Sequence, residues 1–242
     1  LATHAHAEIL DPVTLTRAGA ADYAGLPPTS WSWYSRLVRV DGQITIAQAG
    51  GGFSETKLLN LDGTTRWHYR PNPALAPDAL WPADLDGDGA TEFYSSYDQA
   101  VVRLDGSGRE VWRRPTRNAS LTALAPRSGE SPGWVLAVEY GRQALIWDEQ
   151  GQLIAEVPVG GKDAPMAIEE HALGRALVSG GPVVRGTDLK GKLLFEIPLP
   201  DMNLSAIHSL RFASGSAPHI AVVATADRHT KRWRALIVAP NG

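Results

Sequence analysis

The densest chemistry in the chain lies in nine consecutive residues, Asp84-Leu85-Asp86-Gly87-Asp88-Gly89-Ala90-Thr91-Glu92. Carboxylates occupy the first, third, fifth and ninth places. A hard cation such as Ca2+ takes about six to eight oxygen ligands at ~2.3–2.6 Å. Alternating aspartates on a curled backbone aim their side chains at one point, and Gly87 and Gly89 allow sharp turns without a Cβ clash. The Ala90 carbonyl would add an oxygen from the seventh place. The expected ligands are therefore Asp84, Asp86, Asp88, Ala90 and Glu92, around one structural Ca2+ ion. Four carboxyl groups this close repel one another, which a cation relieves. Mg2+ suits the loop less well, because its small octahedron keeps its water.

The rest of the chain excludes several other chemistries. There is no cysteine, so disulfides, thiolate metal sites and thiol nucleophiles are ruled out. The seven histidines, His4, His6, His68, His171, His208, His219 and His229, fall in no zinc-protease or Ser/His/Asp spacing. His4 and His6 would share one face of a strand and could hold a metal there. Gly50-Gly51-Gly52 lacks the Lys-Ser/Thr of a phosphate loop and reads as a turn. Asn118-Ala-Ser and Asn203-Leu-Ser match glycosylation sequons. A net charge of -3 with 20% charged residues argues against a nucleic-acid partner, which would need a basic surface. No apolar run approaches the ~18 residues of a membrane span. The chain begins Leu1-Ala-Thr-His and carries no signal-peptide pattern, which leaves export open. The expected location is secreted, periplasmic or cell-surface.

The elements that would position the acidic loop are strands. A pattern recurs in which a short apolar run meets an Asp-containing turn and then a second run, often with an aromatic. The stretches at 58–67, 101–112, 144–154 and 183–195 carry it, with turn aspartates Asp62, Asp105, Asp148 and Asp188 recurring about every 40–43 residues. Weaker copies lie at 8–15 and 235–242. Asp binds its own backbone in tight turns and Gly accepts positive φ, so each stretch reads as a hairpin. Upstream of each hairpin lie two further β-forming runs. One set spans 33–40, 79–83, 121–125, 165–169 and 207–212. The other spans 43–49, 91–97, 134–140, 175–179 and 219–226. Four strands, A to D, in every 40–45 residues or so are the signature of propeller blades.

The expected fold is all-β: a single β-propeller domain over 1–242, of four-stranded antiparallel blades. A partial blade covers 1–30, blades cover approximately 31–70, 78–115, 120–158 and 164–198, and a partial blade covers 205–242. The first unit supplies strands at 1–5, 7–11 and 13–18. Five or six blades are visible, with either an irregular seam or a larger parent ring. The acidic loop falls between strands A and B of its blade. The other A–B loops, around Asp41-Gly42 and at 126–132, 171–174 and 213–218, hold fewer than three carboxylates, so a single ion is expected.

An EF-hand would need Glu at its twelfth place and flanking helices; here that place is Ser95, inside a strand. The shorter loop instead resembles that of FG-GAP (integrin-α-like) and VCBS calcium-binding propeller repeats, where it joins the first two strands of a blade. The hairpins at 103–112 and 61–67 also resemble the tryptophan-docking hairpins of PQQ-like propellers, with Ile154 and Phe195 in place of Trp67 and Trp112 in two blades. The resemblances together span roughly 31–242. They imply a non-catalytic binding module for a protein or glycan ligand, secreted or surface-borne. The alternatives are a polysaccharide lyase-like enzyme on the same scaffold, or a scaffold for envelope assembly. Quinoprotein chemistry finds no residues to map onto. Trp31, Trp33 and Trp81, near A strands, would either stack on sugar rings or pack blade against blade.

Overall fold

The computed structural model describes residues 6–10, 17–22, 32–50, 55–71, 77–97, 99–127, 129, 131–139, 141–159, 165–171, 174–180, 183–199, 203–210, 219–225 and 233–238. All regular structure among them is β. β1 (His6–Leu10) and β2 (Arg17–Asp22) pair as a two-stranded sheet. β3 (Ser32–Val40), β4 (Gln43–Gly50), β5 (Glu55–Leu59) and β6 (Thr65–Tyr69) form a four-stranded sheet in chain order. β7 (Pro77–Ala83), β8 (Glu92–Tyr97), β9 (Ala100–Leu104) and β10 (Glu110–Pro115) form a second. β11 (Ala119–Ala125), β12 (Trp134–Glu139), β13 (Gln143–Asp148) and β14 (Leu153–Pro158) form a third, and β15 (Pro165–His171), β16 (Gly174–Ser179), β17 (Val183–Thr187) and β18 (Leu193–Pro198) a fourth. β19 (Asn203–Leu210), β20 (His219–Thr225) and β21 (Trp233–Val238) make a three-stranded sheet.

The strand positions follow the apolar runs closely. In the first unit β2 pairs with β1 from His6↔Asp22 to Leu10↔Arg17; residues 13–16 of the strand expected at 13–18 lie outside the described residues. The strand expected at 1–5 lies outside the described residues.

Position within the sheet explains composition. The second strands β8 and β12 are buried at every residue, and Glu-Phe-Tyr-Ser-Ser-Tyr and Trp-Val-Leu-Ala-Val-Glu carry almost no charge. Strands covered on both faces need no polar alternation. β11, Ala-Ser-Leu-Thr-Ala-Leu-Ala, alternates buried and half-buried residues with the period of a strand. The fourth strands β6, β10, β14 and β18 are edges and mostly exposed. Three of them end on Pro115, Pro158 and Pro198. Proline cannot donate to an incoming strand, so it blunts an edge.

The four hairpins between third and fourth strands share one hydrogen-bond plan. The N–H of a first residue donates to the carbonyl four places on: Asn60 to Thr64, Asp105 to Arg109, Asp148 to Gln152 and Asp188 to Lys192. The glycine at the fourth place, Gly63, Gly108, Gly151 or Gly191, returns its N–H to the first residue's carbonyl and sits at φ of 78–85°. Only the left-handed region closes this turn, and glycine enters it without strain. In three hairpins the first residue is aspartate, whose Oδ1 accepts backbone N–H groups ahead of it, from Ser107 and Arg109, from Gln152, or from Lys190 and Lys192. The structure corrects the expected alignment here. Asp62 is equivalent to Ser107, and the counterpart of Asp105 is Asn60. Asp62 binds the N–H and hydroxyl of Thr64 instead.

The same register corrects the aromatic column. Trp67 stands opposite Leu58, Trp112 opposite Arg103, Phe195 opposite Gly186, and Ala155 opposite Ile146. The fourth member is thus Ala155, not Ile154. A one-residue slip turns a side chain to the other face, and Ile154 is 37% exposed while Ala155 packs on the core.

The chain divides into two compact units, Leu1–Leu121 with Pro126–Pro132, and Thr122–Ala125 with Gly133–Gly242. The core of the first joins the β3–β6 and β7–β10 sheets through Val38, Ala47, Leu58 and Trp67 on one side and Leu80, Phe93, Tyr97 and Val102 on the other. Trp67 meets Phe93 edge to face at 5.0 Å, and its indole N–H donates to the Gly106 carbonyl at 3.1 Å. The core of the second gathers Ala123, Trp134, Leu136, Ile146 and Leu177, with Ala155 and Ile168 at its margin.

Candidate functional site

The acidic loop connects β7 to β8, the first two strands of its sheet. Residues 84–91 leave the ladder, and Gly87 and Gly89 take φ of 77° and 88°. The loop is wound on its own carboxylates. Asp84 accepts the N–H of Gly87 on Oδ1 at 2.8 Å and of Gly89 on Oδ2 at 3.0 Å. Asp86 Oδ1 accepts from the Asp88 N–H, and Asp88 Oδ1 from the Ala90 N–H. Leu85 is fully buried, and its carbonyl accepts the N–H of Arg127, which fastens the loop to the segment after β11.

This winding brings one carboxylate oxygen from each of Asp84, Asp86 and Asp88 within 4.8 Å of the others. Oxygens on a sphere of ~2.4 Å around a shared Ca2+ are at most about 4.8 Å apart. The donor set therefore fits a hard cation by spacing and by chemistry. Ala90 is exposed at the rim.

Glu92 is placed differently. It begins β8, only 4% exposed, and faces Arg103 of β9. The Arg103 Nη2 lies 3.0 Å from Asp86 Oδ2 and 3.3 Å from Glu92 Oε1. The Leu85 N–H reaches Glu92 Oε2 at 3.4 Å. Burial pushes the Glu92 carboxyl up from its ordinary range; Arg103 pulls it down and Asp86 adds to the rise. Arg103 is the residue that sequence reasoning missed. Between Val102 and Leu104 it reads as one outward-facing polar residue of a strand.

Arg103 belongs to a row that crosses the whole sheet. Trp81 of β7 stands opposite Tyr94 of β8, Tyr94 opposite Arg103, and Arg103 opposite Trp112 of β10. The rings of Tyr94 and Trp112 are 6.1 Å apart. Tyr94 is fully buried, Trp112 nearly so, and Trp81 partly. Trp81 thus stands at the end of a cross-strand row of Tyr94, Arg103 and Trp112.

A second polar cluster lies between the edge strands β6 and β10. The Tyr69 hydroxyl donates to Glu110, and Arg113 donates to Tyr69 at 2.9 Å and to Glu110 at 2.8 Å. Burial, then the bond to Glu110, raises the Tyr69 phenol well above its ordinary range, and Arg113 lowers the Glu110 carboxyl. Nearby, Tyr97 meets Tyr69 edge-on at 6.3 Å. Every group in this cluster has a partner, and it ties the two sheets together.

Among the other candidates, His68 is exposed on β6, and Asn118 is exposed at a φ of 51° between β10 and β11. His4 and Trp31 lie outside the described residues, as do the side chains of His6, Trp33, His171, His208 and Asn203. Among the described residues no helix is long and apolar enough to cross a membrane.

No protein-family model matches the chain, and no curated protein is similar to it in sequence. Solved structures are similar in fold. The Dos1 propeller superposes with a TM-score of 0.63 at 12% identity, over 92% of this chain and 62% of that one. BBS1N, solved in complex with ARL6DN and soaked with mercury, gives 0.56 at 11% identity, over 74% and 57%. The V. cholerae biofilm matrix protein Bap1 gives 0.55 at 17%, over 88% and 40%. The chain spans less than two thirds of each of these chains. With its successive four-stranded antiparallel sheets, the chain folds as an all-β propeller.

Proposed function

We propose that the chain is a non-catalytic propeller module that binds a protein or glycan ligand and is braced by one Ca2+ ion in the loop at 84–92. The observation that carries the ion is the convergence of Asp84, Asp86 and Asp88 oxygens within 4.8 Å between the first two strands of a blade. That loop and its place in the blade resemble those of FG-GAP and VCBS repeats. Asp84, Asp86 and Asp88 would hold the ion, with the Ala90 carbonyl and Glu92 completing the oxygens. The ion would neutralise a cluster that carries more negative charge than Arg103 alone offsets. A secreted, periplasmic or cell-surface setting suits such a site, since extracellular Ca2+ modules work at a Kd of about 0.1–1 mM.

The binding role is supported by fold analogy. One protein of similar fold was solved in complex with a protein partner, and another is named as a biofilm matrix protein. Fold alone does not fix function, so the reading stands on two measurements. Thermal unfolding in EDTA and in millimolar Ca2+ should show a higher midpoint with the ion, because a ligand of the folded state stabilises it. Asp84→Asn/Asp86→Asn should abolish the difference. Arrays of polysaccharides and envelope proteins should then give binding without turnover. Turnover of a polysaccharide would overturn the non-catalytic role, and an equal midpoint in both buffers would overturn the ion.

A further inference from the structure

We propose that Arg103 competes with the cation for Asp86 and Glu92, so that this guanidinium sets how tightly the loop takes Ca2+. The inference rests on the cation reading above. Its own ground is the column that Arg103 occupies. The residues opposite the fourth-strand aromatic column are Leu58, Arg103, Ile146 and Gly186 in the four sheets. Three are apolar or glycine, so an arginine here is a charge placed at an interior position.

Its side chain is 12% exposed and held between Tyr94 and Trp112 by cross-strand register. A buried guanidinium needs counter-charges. Arg103 takes them from Asp86, at 3.0 Å, and Glu92, at 3.3 Å. Asp86 is therefore claimed twice, by the ion through the aspartate triad and by Arg103 through Oδ2. A cation entering the triad meets a fixed positive charge that shares one of its ligands, and like charges at this range oppose each other. The side chain is only 12% exposed and is held by ion pairs to two carboxylates, so the charge stays beside the loop. It thus acts as an internal cation that holds the loop together before metal arrives and weakens the metal when it does.

The experiment is a calorimetric Ca2+ titration of chelator-treated protein in three forms: wild type, Arg103→Met and Arg103→Lys. Methionine fills an apolar column and removes the charge; lysine keeps the charge. Arg103→Met should bind Ca2+ about tenfold more tightly, and Arg103→Lys within about twofold of wild type. A second readout in the wild-type protein does not depend on the variant folding. The Arg103 Nε–H resonance should shift in step with Ca2+ occupancy as Asp86 is shared. Equal affinity in wild type and Arg103→Met, or an Arg103 resonance that stays still while the site fills, overturns the competition and leaves the cation site standing. Folded wild type and variants that all fail to bind Ca2+ overturn the cation reading itself, and the competition with it.

Discussion

Gly108 lies beneath the indole of Trp67, so close that a Cβ there would stand 2.6 Å from Trp67 Cδ2. The glycine comes from the β9–β10 hairpin and the tryptophan from β6, so this contact locks one sheet onto the next. Gly108 also sits at a φ of 81°. Alanine there meets both a left-handed backbone and a ring that is hemmed in by Phe93. Gly108→Ala should lose about 2–4 kcal/mol in denaturant unfolding. A loss below about 0.5 kcal/mol would show that the hairpin can slide away from the indole.

The indole N–H carries a smaller share. Trp67→Phe keeps an aromatic ring and removes the bond to the Gly106 carbonyl, for an expected loss of about 1–2 kcal/mol. Trp67→Ala empties the space between the sheets and should cost about 3–5 kcal/mol. Equal losses for the two variants would mean that packing contributes nothing beyond the hydrogen bond.

The turn aspartates predict an acid limb. Partial burial works against ionisation of Asp105, yet bonds from Ser107 and Arg109 bring it down to about 2, from the ordinary 3.8. A carboxyl more acidic folded than unfolded contributes fully above the unfolded value and loses that contribution as pH falls towards 2. Unfolding free energy should therefore drop between about pH 4 and pH 2. Asp105→Asn should be less stable at neutral pH and flatter across that window. An unchanged slope in the variant would remove Asp105 from the account.

Much of this arrangement was legible in the residues. Strand positions followed from apolar runs and Gly/Asp turns, because buried second strands such as Trp134–Glu139 are apolar up to their final residue. Register was harder. Asp62-Gly63 and Asp105-Gly106 look alike in the chain, but the turn is closed by Gly63 and Gly108, which shifts the first hairpin by two places. Leu153 and Ile154 are both apolar and both largely outward, so hydrophobicity alone pointed to the wrong residue of β14 for the fourth-strand aromatic column. Arg103 was invisible for a different reason: its partners Asp86 and Glu92 become neighbours only when β8 and β9 pair. Aligning the hairpins by their closing glycines would have exposed it, as the charge in a column of Leu58, Ile146 and Gly186.

In the fourth sheet Gly186 stands opposite Phe195, and a Cβ on Gly186 would overlap the phenyl ring. Gly186→Ala should cost about 2–3 kcal/mol. Combined with Phe195→Ala it should cost less than the sum of the single changes, by about 1–2 kcal/mol, because the ring that clashes is gone. Strict additivity in the double-mutant cycle would show that the two residues do not meet.

The Tyr69–Glu110–Arg113 cluster predicts an alkaline limb. Burial, then Glu110, holds the Tyr69 phenol above its ordinary range. An unfolded tyrosine releases its proton near pH 10 and the folded one later, so this tyrosine draws stability away as pH rises past about 10. Tyr69→Phe should cost about 1–2 kcal/mol at neutral pH and soften the alkaline fall. Ultraviolet titration should find as many phenols ionising in the ordinary range in wild type as in Tyr69→Phe, because Tyr69 lies above that range. A Tyr69 that titrates normally would mean that Glu110 and Arg113 pair without it.

The most direct measurement is calorimetric titration of Ca2+ into chelator-treated protein, run beside Asp84→Asn/Asp86→Asn. One ion should bind per chain in the wild type and none in the variant, with both proteins folded by circular dichroism. Wild-type protein that is folded and takes up no Ca2+, or a variant that still binds one ion, would contradict it.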